Sequence, residues 1–413
     1  MKILIKILCF LLICLHGFSQ HKKIYVEKQG DNGKYLNGAD FSYSPGDTLV
    51  LKAAQNPYSY FALENFHGNA DNYVVIINEG AQVQFTNGIA ITNCSFLKVQ
   101  GTGSADKYGF KIEDPASNGV AIDINGRSKN IEVNNVYINK KTYGFWVKQE
   151  ASCIDSLQYP NWVINNIFIH DNKIENVNQE GMYLGSTGPN GNRPITCNGI
   201  SISPVPLRLG DIKVYKNIID NSGRSGIQLS GADSGVNEIY ENNILNAGLE
   251  LNSVQGNGIS LGGFTHANVY NNVIKNTYGP GIFCVGAGLI IIQNNTIDSS
   301  GFLQQKKIDG MPGIMVDTRP TAPVDSSLLH IINNKIGANT DYGIRFYKTY
   351  NTYKKGNIIQ GNTGTVNVDK AINWNGAKEM SFSIKPIFII IVLVIFIILF
   401  FAFRYKNKTA QKS

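Results

Sequence analysis

This sequence has little net charge to offer a partner. Of its 413 residues, 37 are basic and 30 acidic, a formal net charge of +7. Six of the basic residues sit at the two ends: Lys2 and Lys6 within residues 1–19, and Arg404, Lys406, Lys408 and Lys412 within residues 404–413. Neither end carries Asp or Glu, so the body between them holds 31 basic and 30 acidic residues. A near-neutral body lacks the basic footprint of a nucleic-acid binder, and no nucleic acid is expected as a partner. Histidine is sparse as well, with six in the chain. His170 and His266 are isolated, so no metal site is assigned to them.

What the chain has in quantity is Asn and Gly at recurring intervals. Residues Ile212 to Leu229 read IKVYKNIIDNSGRSGIQL, and the pattern returns with drift at least six times. Each copy runs Val or Ile, two residues, Asn, one residue, Ile. Nine residues after the Asn comes a Gly: Asn172 and Gly181, Asn217 and Gly226, Asn272 and Gly281, Asn334 and Gly343. Two copies stretch the gap, from Asn242 to Gly258 and from Asn295 to Gly313. Successive Asn positions lie 45, 25, 30, 23 and 39 residues apart, which reads as a coil of 23–25 residues with loops added to some turns. Self-similarity of this size means a solenoid.

The short apolar runs alternate with period 2, so they are strands. They follow one another too closely to leave room for the helix of a leucine-rich repeat. After each Gly, positions +1 and +3 are mostly apolar: Met182 and Leu184, Ile227 and Leu229, Ile259 and Leu261, Ile282 and Cys284, Ile314 and Val316, Ile344 and Phe346. These should face inward, and position +2 outward. The recurring Asn suits a turn, where its side chain tolerates a left-handed backbone. Stacked over successive coils, such residues can form an amide ladder. Near the start, Pro45-Gly46-Asp47-Thr48 leads into Leu49-Val50-Leu51, a turn feeding a buried strand. Over residues 45–365 these features resemble the right-handed parallel β-helix of the pectate-lyase-like superfamily. The resemblance implies an all-β solenoid. It does not assign an activity, because that fold hosts lyases, hydrolases, epimerases and non-catalytic adhesins.

The two ends read as targeting segments. Lys2 and Lys6, the apolar run Ile7–Leu15 and the small residues around Gly17-Phe18-Ser19 make a secretory signal cleaved before Gln20; an uncleaved anchor is the alternative. At the other end Ile387–Phe403 has no charged or polar side chain, and Arg404, Lys406 and Lys408 follow at once. A single membrane helix over 385–404 with a cytoplasmic tail at 405–413 is expected. A buried core helix or a sorting tail removed after export are the other readings. Residues 20–365 then form the exported β-helix domain with its N-terminal cap, and 366–384 a cap or stalk.

Four cysteines remain once Cys9 and Cys14 leave with the signal. Cys284 takes an inward position as a small hydrophobe, and Cys94 has no assigned role. Cys153 and Cys197 lie in two long excursions, 148–166 and 185–211, on consecutive coils. Strand spacing puts such loops roughly 4.8 Å apart. Export permits a disulfide between them.

The outward +2 positions read Trp146, Tyr183, Gln228, Ser260, Phe283, Met315 and Arg345. Trp146 and Tyr183 stand at the feet of the two long loops. Aromatic faces with polar neighbours suit sugar rings, although aromatics also decorate exposed sheets by propensity alone. A second series, Tyr215, Tyr240 and Tyr270, precedes the Asn turn and reads as structural. The expected groove has Trp146, Tyr183, Gln228 and Lys148 as substrate-binding residues. Glu180, Arg224 and Asp233 are its candidate catalytic groups; Glu150, Arg193 and Arg208 also lie nearby. For each charged residue a solvated surface role is the competing reading. Uronate lyases of this fold, the resemblance implies, use a Lys or Arg base and a cation, Ca²⁺ or Arg, on the sugar carboxylate. Hydrolases need two carboxyl groups about 5–9.5 Å apart, which Glu180 and Asp233 could supply. No motif of the characterised lyases or polygalacturonases is present. Two readings follow: a polysaccharide lyase or glycosidase at the cell envelope, or a non-catalytic adhesin or envelope scaffold. No cofactor is expected, with Ca²⁺ reserved for the lyase case.

Overall fold

The computed structural model describes residues 21–364, apart from residues 31–32, 115, 117, 192, 253, 286–287, 305, 318–327 and 347–357. The signal expected at 1–19, the stalk at 366–384, the membrane helix at 385–404 and the tail at 405–413 lie outside the described residues. Among the described residues no helix is long and apolar enough to cross a membrane.

Two parallel sheets carry the chain, here sheet 1 and sheet 2. One coil shows the plan. Arg208–Tyr215 lies in sheet 1, Ile218–Ser222 and Ile227–Leu229 follow in sheet 2, and Glu238–Tyr240 returns to sheet 1. The register repeats coil by coil: Val214 pairs with Ile239, Ile219 with Ile244, and Ile227 with Ile259. Equivalent residues thus stack, and each buries its side chain on its own homologue. The winding begins before Pro45, because Lys23–Tyr25 pairs with Thr48–Val50 and Gly33–Asn37 with Tyr60–Glu64. Asp47 closes the lead-in turn by accepting from the Lys22 and Ser44 backbone N–H groups, each at 2.8 Å.

The inward set is fully buried. Met182, Leu184, Ile227, Leu229, Ile259, Leu261, Ile282, Cys284, Ile314, Val316, Ile344 and Phe346 are all 0% exposed. Cys94 also lies in this core, and burial pushes its thiol up to about 12, so it is an inert hydrophobe. The glycine before each inward pair is required by close approach. A Cβ on Gly181 would lie 2.5 Å from the Gly226 carbonyl oxygen and 2.7 Å from Ile219 Cγ2, and Gly226, Gly258 and Gly281 are equally crowded.

The Asn residues form the ladder that their spacing suggests, but from a different position in the turn. The left-handed residue is the one before each of them: Asp171, Lys216, Glu241, Asn271, Asn294 and Asn333 have φ of 54–56°. The Asn itself points into the core, and Asn172, Asn242, Asn272 and Asn334 are at most 1% exposed. On the outer face of sheet 1, His170, Tyr215, Tyr240 and Tyr270 stack with ring centroids 4.5, 4.8 and 4.8 Å apart. His170 caps this stack and is held by Asp171 at 2.8 Å and Glu132 at 3.3 Å.

Candidate functional site

The outer face of sheet 2 sets the site. One outward ladder runs in register through Ala62, Ala90, Asp123, Trp146, Tyr183, Gln228, Ser260, Phe283, Met315 and Arg345. Small side chains at Ala62 and Ala90 give way to aromatics at Trp146 and Tyr183. Tyr143 joins them from the position before Gly144. Its ring lies 4.8 Å from that of Trp146 and 6.1 Å from that of Tyr183, while Trp146 and Tyr183 are 4.8 Å apart.

Lys148 folds back over this group. Its Nζ is 4.0 Å from the Trp146 ring centroid and 4.3 Å from that of Tyr183, an ammonium held on two aromatic faces. Lys148 is 3% exposed and reaches Glu150 Oε1 at 2.7 Å. Tyr183 is 9% exposed, because the following loop returns to it and Thr187 Oγ1 lies 3.1 Å from its hydroxyl. Trp146 and Tyr143 are the half-buried rings. Gln228 and Ser260, expected to point out, are covered, and Gln228 Nε2 has no hydrogen-bond partner among the described residues.

Glu180 occupies the position before Gly181, one coil above Tyr143. It is 2% exposed, and its Oε2 has no hydrogen-bond partner among the described residues. Burial pushes its carboxyl above the usual range, against the opposing pull of Arg224 and Lys148. Arg224 Nε lies 2.5 Å from Glu250 Oε2. The structure therefore gathers Trp146, Tyr183, Lys148, Glu180 and Arg224, together with Tyr143 and Glu250.

Asp233 is elsewhere. After Leu229 the chain crosses to the other sheet, where Ala232–Ser234 pairs with the strand that begins at Arg208. Asp233 ion-pairs with Arg208, whose guanidinium lies over the rings of Tyr159 and Phe264 at 4.4 and 4.6 Å. The expected pairing of Glu180 with Asp233 is therefore not formed.

The long loops are shorter than expected, since sheet 1 resumes at Val163 and Arg208. They are joined. Cys153 is bonded to Cys197 with Cα atoms 5.6 Å apart, and the Tyr159 N–H donates to the Val205 carbonyl at 3.0 Å. Arg193 reaches Thr187 Oγ1 at 3.4 Å.

Asp123, beside Trp146 on the ladder, is a residue the sequence did not disclose. Burial pushes its carboxyl up to about 6, Asn125 donates to one oxygen at 2.9 Å, and the other has no partner among the described residues. It lines a hollow of about 200 Å³ with Asn87, Gly88, Ala90 and Val120. Among the described residues no group of three or more His, Cys, Asp or Glu could hold a metal ion. A carboxylate cage of the kind Ca²⁺ takes is therefore not present among them.

A family model described as a right-handed beta helix region matches residues 198–383. A GH136 lacto-N-biosidase from Eubacterium ramulus is 12% identical with a TM-score of 0.51, covering 82% of this chain and 62% of that one. The fold is a right-handed parallel β-helix. This β-helix is also similar to an alginate lyase from Paenibacillus sp. str. FPU-7, at 12% identity and a TM-score of 0.44, covering 84% of this chain and 97% of that one. No curated protein matches the sequence.

Proposed function

We propose that the β-helix binds a glycan on the outer face of sheet 2, over the coils of Trp146 and Tyr183. The observation that carries this reading is the cluster itself: three rings, the Lys148 ammonium between two of them, and the buried Glu180 carboxyl with one oxygen unpaired. Half-buried Trp146 and Tyr143 offer apolar faces to sugar C–H groups, and the partly exposed Arg224 offers N–H donors to hydroxyls or carboxylates. Tyr183, mostly covered, backs the platform. A lacto-N-biosidase shares the fold, which accords with a carbohydrate partner.

Cleavage is the finer part of the proposal. A carboxyl whose hold on its proton is strengthened by burial is suited to give that proton to a glycosidic oxygen, and Glu180 is such a group. The alternative is binding without cleavage, and the capture of Asp233 by Arg208 favours it, because Glu180 loses its expected carboxylate partner. The test is incubation with a panel of neutral and acidic polysaccharides, following retention of the protein on each glycan and release of reducing ends or unsaturated uronates. Retention with product that Glu180→Gln abolishes supports catalysis; retention without product supports a binding scaffold; no retention on any glycan defeats both.

The proposal includes export and anchoring, supported by Lys2–Ser19 and by Ile387–Phe403 with the basic residues after it. A disulfide between Cys153 and Cys197 accords with an oxidising compartment. Protease added to spheroplasts should digest the β-helix; full protection would refute this orientation.

A further inference from the structure

A second cluster lies at the edge where short turns on three coils meet the long loop 148–162. His67 bridges to Ser95, and Ser95 pairs in register with Lys129, so these three side chains recur on consecutive coils. Two residues upstream of each stand Asn65, Asn93 and Arg127. Trp162, at the end of the loop, closes the side. Together they line a cavity of about 210 Å³.

The cavity is rich in donors and cations. His67 Nδ1 lies 3.0 Å from Ser95 Oγ, and the Arg127 N–H donates to Asn93 Oδ1 at 2.9 Å, which pins the turn. Lys129 Nζ is 5.3 Å from the Trp162 ring centroid. The Trp162 indole Nε1 is buried and has no hydrogen-bond partner among the described residues. Among the described residues no carboxylate ion-pairs with Arg127 or Lys129. Other lysines on the outer surfaces do find one: Lys98 meets Glu132 at 2.9 Å, Lys173 meets Glu175 at 2.8 Å, and Lys213 meets Glu238 at 3.1 Å. Burial, and then the nearby Arg127 and Lys129, hold the His67 imidazole below the usual range.

Two unpaired cations, a stranded indole donor and a hydroxyl facing one cavity are complementary to negative oxygen. We propose that this cavity binds an oxyanion group, a sulfate, phosphate or carboxylate, between Arg127 and Lys129, with Trp162 Nε1–H and the Ser95 hydroxyl as further donors. The site is separate from the Trp146 platform and does not depend on the glycan reading. Its oxyanion belongs to a small ligand or to one charged unit of a larger one, since the cavity is closed on one side by the Trp162 loop.

The chain has three tryptophans, which permits a direct test. The full-length protein, labelled at the indole nitrogens, is titrated separately with inorganic sulfate, inorganic phosphate and glucuronate at constant ionic strength. At least one should move the Trp162 indole resonance saturably at millimolar concentration and leave Trp146 unmoved. Which one binds tightest separates a free tetrahedral anion from an acidic sugar. The Arg127→Gln, Lys129→Gln double variant should weaken that binding about tenfold or more without changing Tm, since both residues are solvent-facing. Trp162→Phe, read by the ligand's own resonances, should weaken it by a smaller factor. No saturable shift with any of the three anions, or equal affinity in the Arg127/Lys129 variant, would overturn the proposal.

Discussion

Asn217 donates through Nδ2 to Asn242 Oδ1 at 3.0 Å, one coil further on. The same oxygen accepts the Asn217 backbone N–H at 3.1 Å, and Asn242 Nδ2 donates back to the Val214 carbonyl at 2.9 Å. The chain of amides continues from Asn172 to Asn362 with links of 2.9–3.1 Å. Asn172 to Asn334 are buried and Asn362 is half-buried, so each donor and acceptor depends on the next coil. Asn242→Leu would strand the Asn217 backbone N–H and take a donor from the Val214 carbonyl, while Asn217 Nδ2 keeps the Ile169 and Tyr215 carbonyls. Urea unfolding should show a loss of about 2–4 kcal/mol, more than one net hydrogen bond supplies.

The glycine column gives a second stability test. A Cβ at Gly226 would lie 2.5 Å from Ile244 Cγ2 and 2.9 Å from the Gly258 carbonyl oxygen. Gly226→Ala should therefore destabilise by about 1–3 kcal/mol through overpacking. A neutral or stabilising result in thermal unfolding would show that the coils separate more easily than their stacking implies.

Asp123 makes stability depend on pH in a defined window. Its folded value, about 6, lies above the ordinary Asp value of 3.8, so the folded state favours the protonated form. The resulting stability is present in full below about pH 4 and is lost as pH rises through 6. The loss is at most about 3 kcal/mol at 1.36 kcal/mol per unit. Asp123→Asn should flatten the stability profile between pH 4 and 6, measured by urea midpoints across that range.

The disulfide ties two loops, not two sheets. Cys153→Ser with Cys197→Ser should lower stability by about 2–4 kcal/mol, a typical figure for a bridge across this much chain. Limited proteolysis should then cut first within 148–162 or 185–207, while the strands of both sheets stay intact.

The coil was legible because two residue types answer to backbone geometry. Gly is needed where neighbouring coils approach closely, and Asn where a core turn must satisfy its own amides. Half of the site was legible for the same reason: counting from Gly144 and Gly181 places Trp146 and Tyr183 side by side. Asp123 was hidden because its coil breaks the count. Ile122, not Val120, pairs with Phe145, so the nearest glycine, Gly119, gives a register two residues off. Asp233 was misplaced because nothing between Ser230 and Val236 marks the crossing to the other sheet. Tyr143 could have been found from the position before each glycine, which Glu180 shares.

Glycan affinity at the Trp146 platform tests the central claim most directly. Calorimetric titration of each retained glycan is carried out on the wild-type chain and on Trp146→Ala and Tyr143→Ala. Each substitution is expected to weaken binding by about 1–3 kcal/mol, the loss typical of an aromatic anchor, with Tm nearly unchanged. Unaltered affinity in the Trp146→Ala, Tyr143→Ala double variant would contradict a glycan site on this face.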